Sequence, residues 1–226
     1  MTPDVPAEAA SVFDGVLDKA RRYAELLATD GVTRGLIGPR ETGRLWDRHL
    51  LNCAVVTELM PEYGRMVDIG SGAGLPGIVL AMLRPSLEVT LLEPLLRRAV
   101  FLEECVGELG LANTMVLRAR AEDEEARQLR ADIATARAVA PLGRLAGWAA
   151  GLLRPGGQLL AIKGRSANEE LAVARPVLSR LGVRSAEVLQ AGDGRVVSAT
   201  TVVRVVMGGH GREERAGAQR SRRGVA

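Results

Sequence analysis

The sequence predicts an α/β protein in which a doubly wound, largely parallel sheet carries a helical cap at its N-terminal end and an antiparallel hairpin at its C-terminal end. Three observations predict it. Short apolar runs of strand character alternate with segments of helical period from residue 65 to residue 181, the pattern of parallel strands joined by crossover helices. The first of these strands runs into a glycine-crowded turn, Gly70-Ser71-Gly72-Ala73-Gly74-Leu75-Pro76-Gly77. Near the end of the chain, two further strand-like runs flank Gly192-Asp193-Gly194, a hairpin signal.

The elements follow in order. Residues 5–28 and 41–59 carry apolar side chains at three- and four-residue intervals around a turn at 31–39, so residues 1–60 read as a helical cap. Residues 61–207 form the α/β domain, with strands expected at 65–69, 88–92, 114–118, 133–137 and 157–163 and helices at 76–83, 95–109, 121–129, 142–153 and 167–181. Pro76 suits a first helical turn, where its missing N–H has no intrahelical partner to lose. The hairpin pairs 184–189 with 196–207 and adds antiparallel strands, which a pure dinucleotide fold does not require. From Gly208 the chain is rich in Arg, Gly and Glu and has no period, so 208–226 is expected to be a disordered basic tail.

Composition narrows the class of protein. With 226 residues, 47% hydrophobic and 25% charged, the chain can bury a sizeable core and is globular. A net charge of +3, almost all of the positive charge being arginine, suits a polyanionic partner better than an anionic small substrate. No stretch approaches the roughly eighteen apolar residues of a membrane span, and no basic segment leads into an apolar one at the N-terminus. The expectation is a cytoplasmic protein, monomeric, with no membrane partner. Cys53 and Cys105 lie in helical patterns without metal spacing, so they are expected as buried thiols, with no metal site.

The glycine turn fits two templates. Gly72, Gly74 and Gly77 satisfy the dinucleotide fingerprint, whereas Asp68, Gly70, Gly72 and Gly74 satisfy the acid-then-three-glycines pattern of S-adenosylmethionine enzymes. Charge separates them. A pyrophosphate would bring about two negative charges beside Asp68, which opposes them, while a methionine ammonium and a sulfonium would be attracted. Asp68, Gly70, Gly72 and Gly74 are therefore assigned to S-adenosyl-L-methionine. Glu93, ending the second strand about twenty residues on, is placed to accept hydrogen bonds from two ribose hydroxyls, which either cofactor has. The plain alternative is a turn that only tightens a strand-to-helix connection.

Six segments carry a resemblance: Asp47-Arg48-His49-Leu50-Leu51-Asn52, Val67 through Gly77, Arg97-Arg98-Ala99-Val100-Phe101-Leu102, Arg118-Ala119-Arg120-Ala121-Glu122, Ala136-Arg137-Ala138 and Leu160-Ala161-Ile162-Lys163-Gly164. Over residues 10–206 the chain is similar to the RsmG family, also called glucose-inhibited division protein B, bacterial 16S ribosomal RNA guanine-N7 methyltransferases. The resemblance implies a Rossmann-like class I methyltransferase sheet and a methyl transfer to guanine 527 in the 530 loop, with 16S ribosomal RNA or the small ribosomal subunit as partner. It further implies that Gly70, Gly72 and Leu75 line the methionine and ribose, that Ala121 and Glu122 bracket the adenine, and that Arg137, beside the methionine end, faces the target base and is the catalytic residue. Arg48, His49 and Lys163 are assigned to substrate RNA, and Arg97-Arg98 to a basic rim. Each has an ordinary alternative: a helix-start acid for Glu122, a surface charge for Arg137 and Lys163, a structural hydrogen bond for His49. The chain departs from the family at Asn52-Cys53, where many members have Asp-Ser, and in the last strand, which opens without an arginine and leaves Arg195 as a weak substitute.

What is missing also constrains the chemistry. The segment Ala136-Arg137-Ala138-Val139-Ala140-Pro141 lacks the motif used for exocyclic adenine methylation, and neither cysteine is placed to attack a pyrimidine ring. Guanine N7 already holds a lone pair in the ring plane and loses no proton. Three readings stay open: an RNA methyltransferase, a methyltransferase of a small molecule, and a cofactor-dependent RNA-binding protein without catalysis. An aromatic content of 3% with no platform motif argues against a base-stacking module.

Overall fold

The computed structural model describes residues 4–209. Seven strands form one sheet in the order β3-β2-β1-β4-β5-β7-β6. They are β1 (Gly64–Ile69), β2 (Leu87–Leu92), β3 (Thr114–Leu117), β4 (Ala131–Arg137), β5 (Leu153–Ile162), β6 (Val183–Ala191) and β7 (Thr200–Met207). The first five are mutually parallel, and β7 slots antiparallel between β5 and β6. The order reverses between β1 and β4, and ligands of open α/β sheets collect at the carboxyl ends of the strands flanking such a point.

Alternation along the strands sorts side chains onto two faces. Met66, Leu91, Ile133, Leu160 and Val202 join one core, and their neighbours Val67, Leu92, Ala134, Leu159 and Val203 join the other. The second core is closed by α7 (Leu142–Leu152) and α8 (Ala167–Arg180). The first is closed by α4 (Gly77–Leu83), α5 (Leu96–Glu108) and the N-terminal segments, which contribute Phe13, Tyr23, Leu27, Leu45, Trp46 and Leu50, all buried. Phe13 and Trp46 meet edge to face at 6.0 Å between ring centres.

The N-terminal segments are more broken than their period predicts. Expected helix 5–28 divides into α1 (Ala7–Val12) and α2 (Leu17–Leu26) at Gly15, whose φ of +74° no helical residue adopts, and ends in a π-helical turn (Leu27–Gly31). Expected helix 41–59 is a relay of short pieces: a 3-10 turn (Pro39–Arg44), a π-helical turn (Leu45–Leu50), α3 (Leu51–Ala54) and a second 3-10 turn (Val55–Leu59). Period finds such a segment helical but cannot see where the turns widen or tighten, because packing decides that.

Other boundaries shift for local reasons. The expected helix 121–129 is only α6 (Glu124–Arg127), since Asp123 caps backward onto the Arg120 N–H (2.8 Å) and delays its start. The last strand begins at Thr200 rather than 196, because residues 192–199 are drawn off as a loop. There Glu58 accepts from the Gly192 N–H and from Arg195, each at 2.9 Å, and the loop is thereby tied to the cap. The expected tail 208–226 falls, beyond Gly209, outside the described residues.

Candidate active site

The turn after β1 is built by its glycines. Gly70, Gly72 and Gly74 have φ of +65°, +59° and +93°, a region open to glycine and strained for other residues. Gly70 and Ser71 donate their N–H groups to Leu92 at the end of β2, and Gly74 donates to Ser71 (2.7 Å), which curls the chain into the start of α4. A side chain at Gly77 would collide with Leu91 and Asp68, so this glycine serves helix-to-sheet packing. At Gly72 a side chain would meet only the Gly70 carbonyl, at 3.8 Å; the space above this turn is open.

That space is the mouth of a cavity of about 560 Å³ along the carboxyl ends of β1, β2, β3 and β4. Gly70, Ser71, Gly72 and Leu75 form its floor, Glu93 its wall after β2, Ala121 and Glu122 its wall after β3, and Arg137 its end at β4. Leu36, Ile37 and His49 enter from the cap, so the cap roofs the end of the cavity at Arg137. The volume suits a single nucleoside-sized ligand.

Each acid is held in a distinct way. Glu93 is 1% exposed, and its two carboxylate oxygens accept from the N–H groups of Gly72 and Leu95, both at 3.0 Å. Each oxygen keeps a second lone pair for an outside donor, the requirement for gripping a ribose diol. Arg98 stands 3.8 Å from Glu93 on the cavity wall, so one member of the expected arginine pair belongs to the site. Glu122 accepts from the indole N–H of Trp148 (2.6 Å), which fixes an otherwise exposed carboxylate on the cavity wall after β3.

Arg137 closes β4 and reaches back to the cap. Nη2 donates to His49 Nδ1 (2.6 Å) and Nη1 to Cys53 Sγ (3.4 Å), so His49 and Cys53, one turn apart, both brace it. His49 Nε2 in turn meets Glu41 Oε2 at 2.9 Å. Burial, then the Arg137 charge, pushes the imidazole pKa below its ordinary value, and the bond from His49 lowers the Glu41 carboxyl. Directly after Arg137, Ala138 takes a φ of +55°, a strained conformation that turns the chain sharply off the sheet at the cavity.

Three assigned residues stand elsewhere than the sequence predicts. Asp68 does not line the cavity. It is wholly buried beneath the turn, where its carboxylate accepts from the Gly77 N–H (3.1 Å) and the Thr135 hydroxyl (2.8 Å), and burial raises its pKa to about 6. It organises the turn rather than facing a cation. Gly74 also lies off the cavity, packed against Ile78 and the Tyr23 hydroxyl. Lys163 is turned inward, its ammonium bonded to the Ala140 carbonyl (3.0 Å) and to Glu170 (2.7 Å), with 10% of the side chain exposed; it straps β5 to its neighbours and offers no free charge to RNA. Arg48 is exposed, paired with Glu41 (3.2 Å), and outside the cavity wall, while Arg195 is held by Glu58. Cys53 and Cys105 are buried free thiols, as expected.

Other residues of the site are not visible in the sequence. Tyr23, fully buried in the cap, donates to the Ala73 carbonyl (2.7 Å) and so clasps the glycine turn from fifty residues away. Thr135 holds Asp68 across the β1–β4 pairing. Trp148, one of two tryptophans, could have drawn notice by its rarity, but nothing local ties it to Glu122.

The site fits S-adenosylmethionine on its own chemistry: an open glycine floor, a diol-ready carboxylate, a second acid beyond β3 and an arginine at the far end. The fold agrees. A solved S-adenosylmethionine-dependent methyltransferase from Methanococcus maripaludis, described as putative, superposes with a TM-score of 0.59 at 14% identity, covering 94% of this chain and 99% of that one. A predicted O-methyltransferase from Agrobacterium tumefaciens gives 0.56 at 19% identity over 72% and 82%. At such identities the likeness concerns the fold alone. Sequence relatives are much closer. The Ribosomal RNA small subunit methyltransferase G of Thermobifida fusca is 61% identical over 90% of this chain and 86% of its own, and that of Streptomyces coelicolor 55% identical over 91% and 86%. The profile of the family described as rRNA small subunit methyltransferase G, GidB, matches residues 16–197. With this profile spanning most of the chain and relatives above half identity, the chain belongs to the rRNA small subunit methyltransferase G family.

Proposed function

We propose that this protein transfers a methyl group from S-adenosylmethionine to N7 of a guanine in small-subunit ribosomal RNA, guanine 527 of the 530 loop, acting as a monomer in the cytoplasm. The observation that carries the reading is Arg137: a guanidinium at one end of the cavity, backed by Cys53 and by His49, whose two ring nitrogens are both engaged, by Arg137 and by Glu41. The bound cofactor supplies an electrophilic methyl on a sulfonium. Guanine N7 attacks that carbon with its ring lone pair, the N7–C bond forms as the C–S bond breaks, and the positive charge passes from sulfur to the purine. No proton leaves N7, so the protein need only position the base. Alignment of this kind contributes roughly 7 to 11 kcal/mol.

The roles we assign are consistent with where these residues line the cavity. Glu93 takes the ribose hydroxyls, Glu122 and Ala121 flank the adenine, and Leu75 with Gly70 and Gly72 line the methionine and ribose. An arginine commonly grips guanine through O6 and N7 together, but that would cover the nucleophile. Arg137 is therefore assigned to O6, or to a neighbouring phosphate, with N7 left bare. Two of its five N–H donors are engaged by His49 and Cys53 among the described residues, which leaves donors for the substrate. Lys163 is withdrawn from this role. The exposed Arg120 on the cavity wall, and the exposed Arg40, Arg44 and Arg48 on the same cap segment as His49, are assigned the phosphate contacts instead.

The test offers labelled methyl donor to unmodified small subunits, naked ribosomal RNA and a metabolite extract. The expected result is label in ribosomal RNA at one guanine of the 530 loop. Label confined to a metabolite would replace this reading with a small-molecule methyltransferase, and the absence of label anywhere would favour binding without catalysis.

A further inference from the structure

Arg137 is held by a partner that is itself held. Arginine can only donate, so the 2.6 Å contact from its Nη2 requires a bare lone pair on His49 Nδ1. The imidazole must then be neutral with its single proton on Nε2. That nitrogen lies 2.9 Å from Glu41 Oε2, and the carboxylate accepts the proton's hydrogen bond. The three side chains thus form a directed chain of donors, Arg137 to His49 to Glu41, running from the last residue of β4 into the cap. His49 is 7% exposed, so solvent does not substitute for either link.

We infer that Glu41 is a positioning residue for methyl transfer: by accepting the His49 Nε2 proton it fixes the imidazole tautomer, and through the bare Nδ1 it aims the Arg137 guanidinium at the reactive end of the cavity. The inference rests on the proposed reaction only for the identity of the methyl acceptor. The local backbone is consistent with it. Glu41 sits in the 3-10 turn and His49 in the π-helical turn that follows, and that unusual pair of turns brings an acid and an imidazole eight residues apart into contact. Without Glu41 the imidazole is free to carry its proton on Nδ1, where it would confront an arginine that has nothing to accept it.

The arrangement is also sensitive to protonation. An imidazolium would present two donors, one directed at Arg137, and the link would break. The charged groups facing His49 are Glu41 from the 3-10 turn, Arg48 from its own turn and Arg137 from β4; only Glu41 favours the imidazolium. Removing the Glu41 charge while keeping an acceptor should therefore extend activity to lower pH.

The experiment uses the full-length protein. It contains two histidines, His49 and His210, so ring ¹⁵N resonances can be assigned with one His49→Gln control. The expected spectrum shows His49 neutral and protonated at Nε2. In Glu41→Ala, turnover on small subunits should fall about tenfold while the dissociation constant for S-adenosylmethionine, read by calorimetry, stays within twofold. In Glu41→Gln the amide oxygen restores the acceptor, turnover should return to within about threefold of wild type, and the acid limb of the pH profile should move to lower pH. A His49 proton on Nδ1, a Glu41→Ala enzyme with wild-type turnover, or a Glu41→Gln acid limb that does not move would each overturn the inference. Should the acceptor prove not to be ribosomal RNA, the tautomer measurement still decides this point, so failure of the two readings can be told apart.

Discussion

Asp68 is a carboxylate buried out of reach of solvent, and its energetics follow from that. Hydrogen bonds from Thr135, Ser71 and the Gly77 N–H favour the charged form, yet desolvation wins and its pKa stands at about 6 against 3.8 in the open chain. Between those values the folded protein binds more protons than the unfolded one, so this residue makes stability fall as pH rises from about 4 to 6, by about 3 kcal/mol in all, with no further change above. An asparagine there can accept from Gly77 and donate to the Thr135 hydroxyl. Asp68→Asn is therefore expected to fold and to lose that part of the pH slope; parallel urea-stability curves for the two proteins over this range would contradict the assignment. The sequence pattern finds Asp68, because an acid two residues before the first glycine is a local signal. Which way its carboxylate faces is not local, being decided by Thr135, 67 residues away. The place of Glu93 on the cavity wall was legible because its partners, the glycine turn and its own following residues, are part of the same motif.

At the scale of elements, the cap and the sheet are coupled at points that periodicity does not reveal. Tyr23 of α2 reaches the Ala73 carbonyl, and Tyr23→Phe leaves that carbonyl without its buried donor. The expected cost is about 1–3 kcal/mol in urea unfolding, with weaker binding of S-adenosylmethionine in calorimetry because the turn it holds lines the cavity proposed for that cofactor. Lys163 gives the opposite kind of expectation. Since its ammonium straps the end of β5 to Ala140 and Glu170, Lys163→Met should lower stability by about 1–3 kcal/mol and leave RNA affinity within twofold of wild type. A selective loss of RNA binding with unchanged stability would restore its role as a phosphate contact. The strands were legible to within a few residues, because burial on two faces leaves continuous apolar runs. The cap's 3-10 and π-helical turns were not, since their geometry follows from packing against α4 and α5.

At the scale of the molecule, cap and sheet enclose a cofactor-sized cavity at the point where strand order reverses; the exposed Arg120 lines it, and the cap segment that sends His49 into it carries the exposed Arg40 and Arg44. A polyanionic substrate approaching that edge would meet Arg40 and Arg44 on the cap, neither of which forms an ion pair among the described residues. Replacing both by alanine should weaken RNA binding and reduce the slope of log affinity against log salt by about 1 to 2, while cofactor affinity is unchanged. An unchanged slope would move the RNA path elsewhere on the surface.

The claim that joins these scales is that the acceptor is an atom already nucleophilic, so the protein positions it and moves no proton. The most direct measurement digests small-subunit RNA, methylated by the purified protein with isotopically labelled donor, to nucleosides and separates them by chromatography and mass spectrometry. The label is expected to travel with 7-methylguanosine. Label in a guanosine methylated at N1 or N2, positions that must shed a proton, or in any other nucleoside, would contradict it.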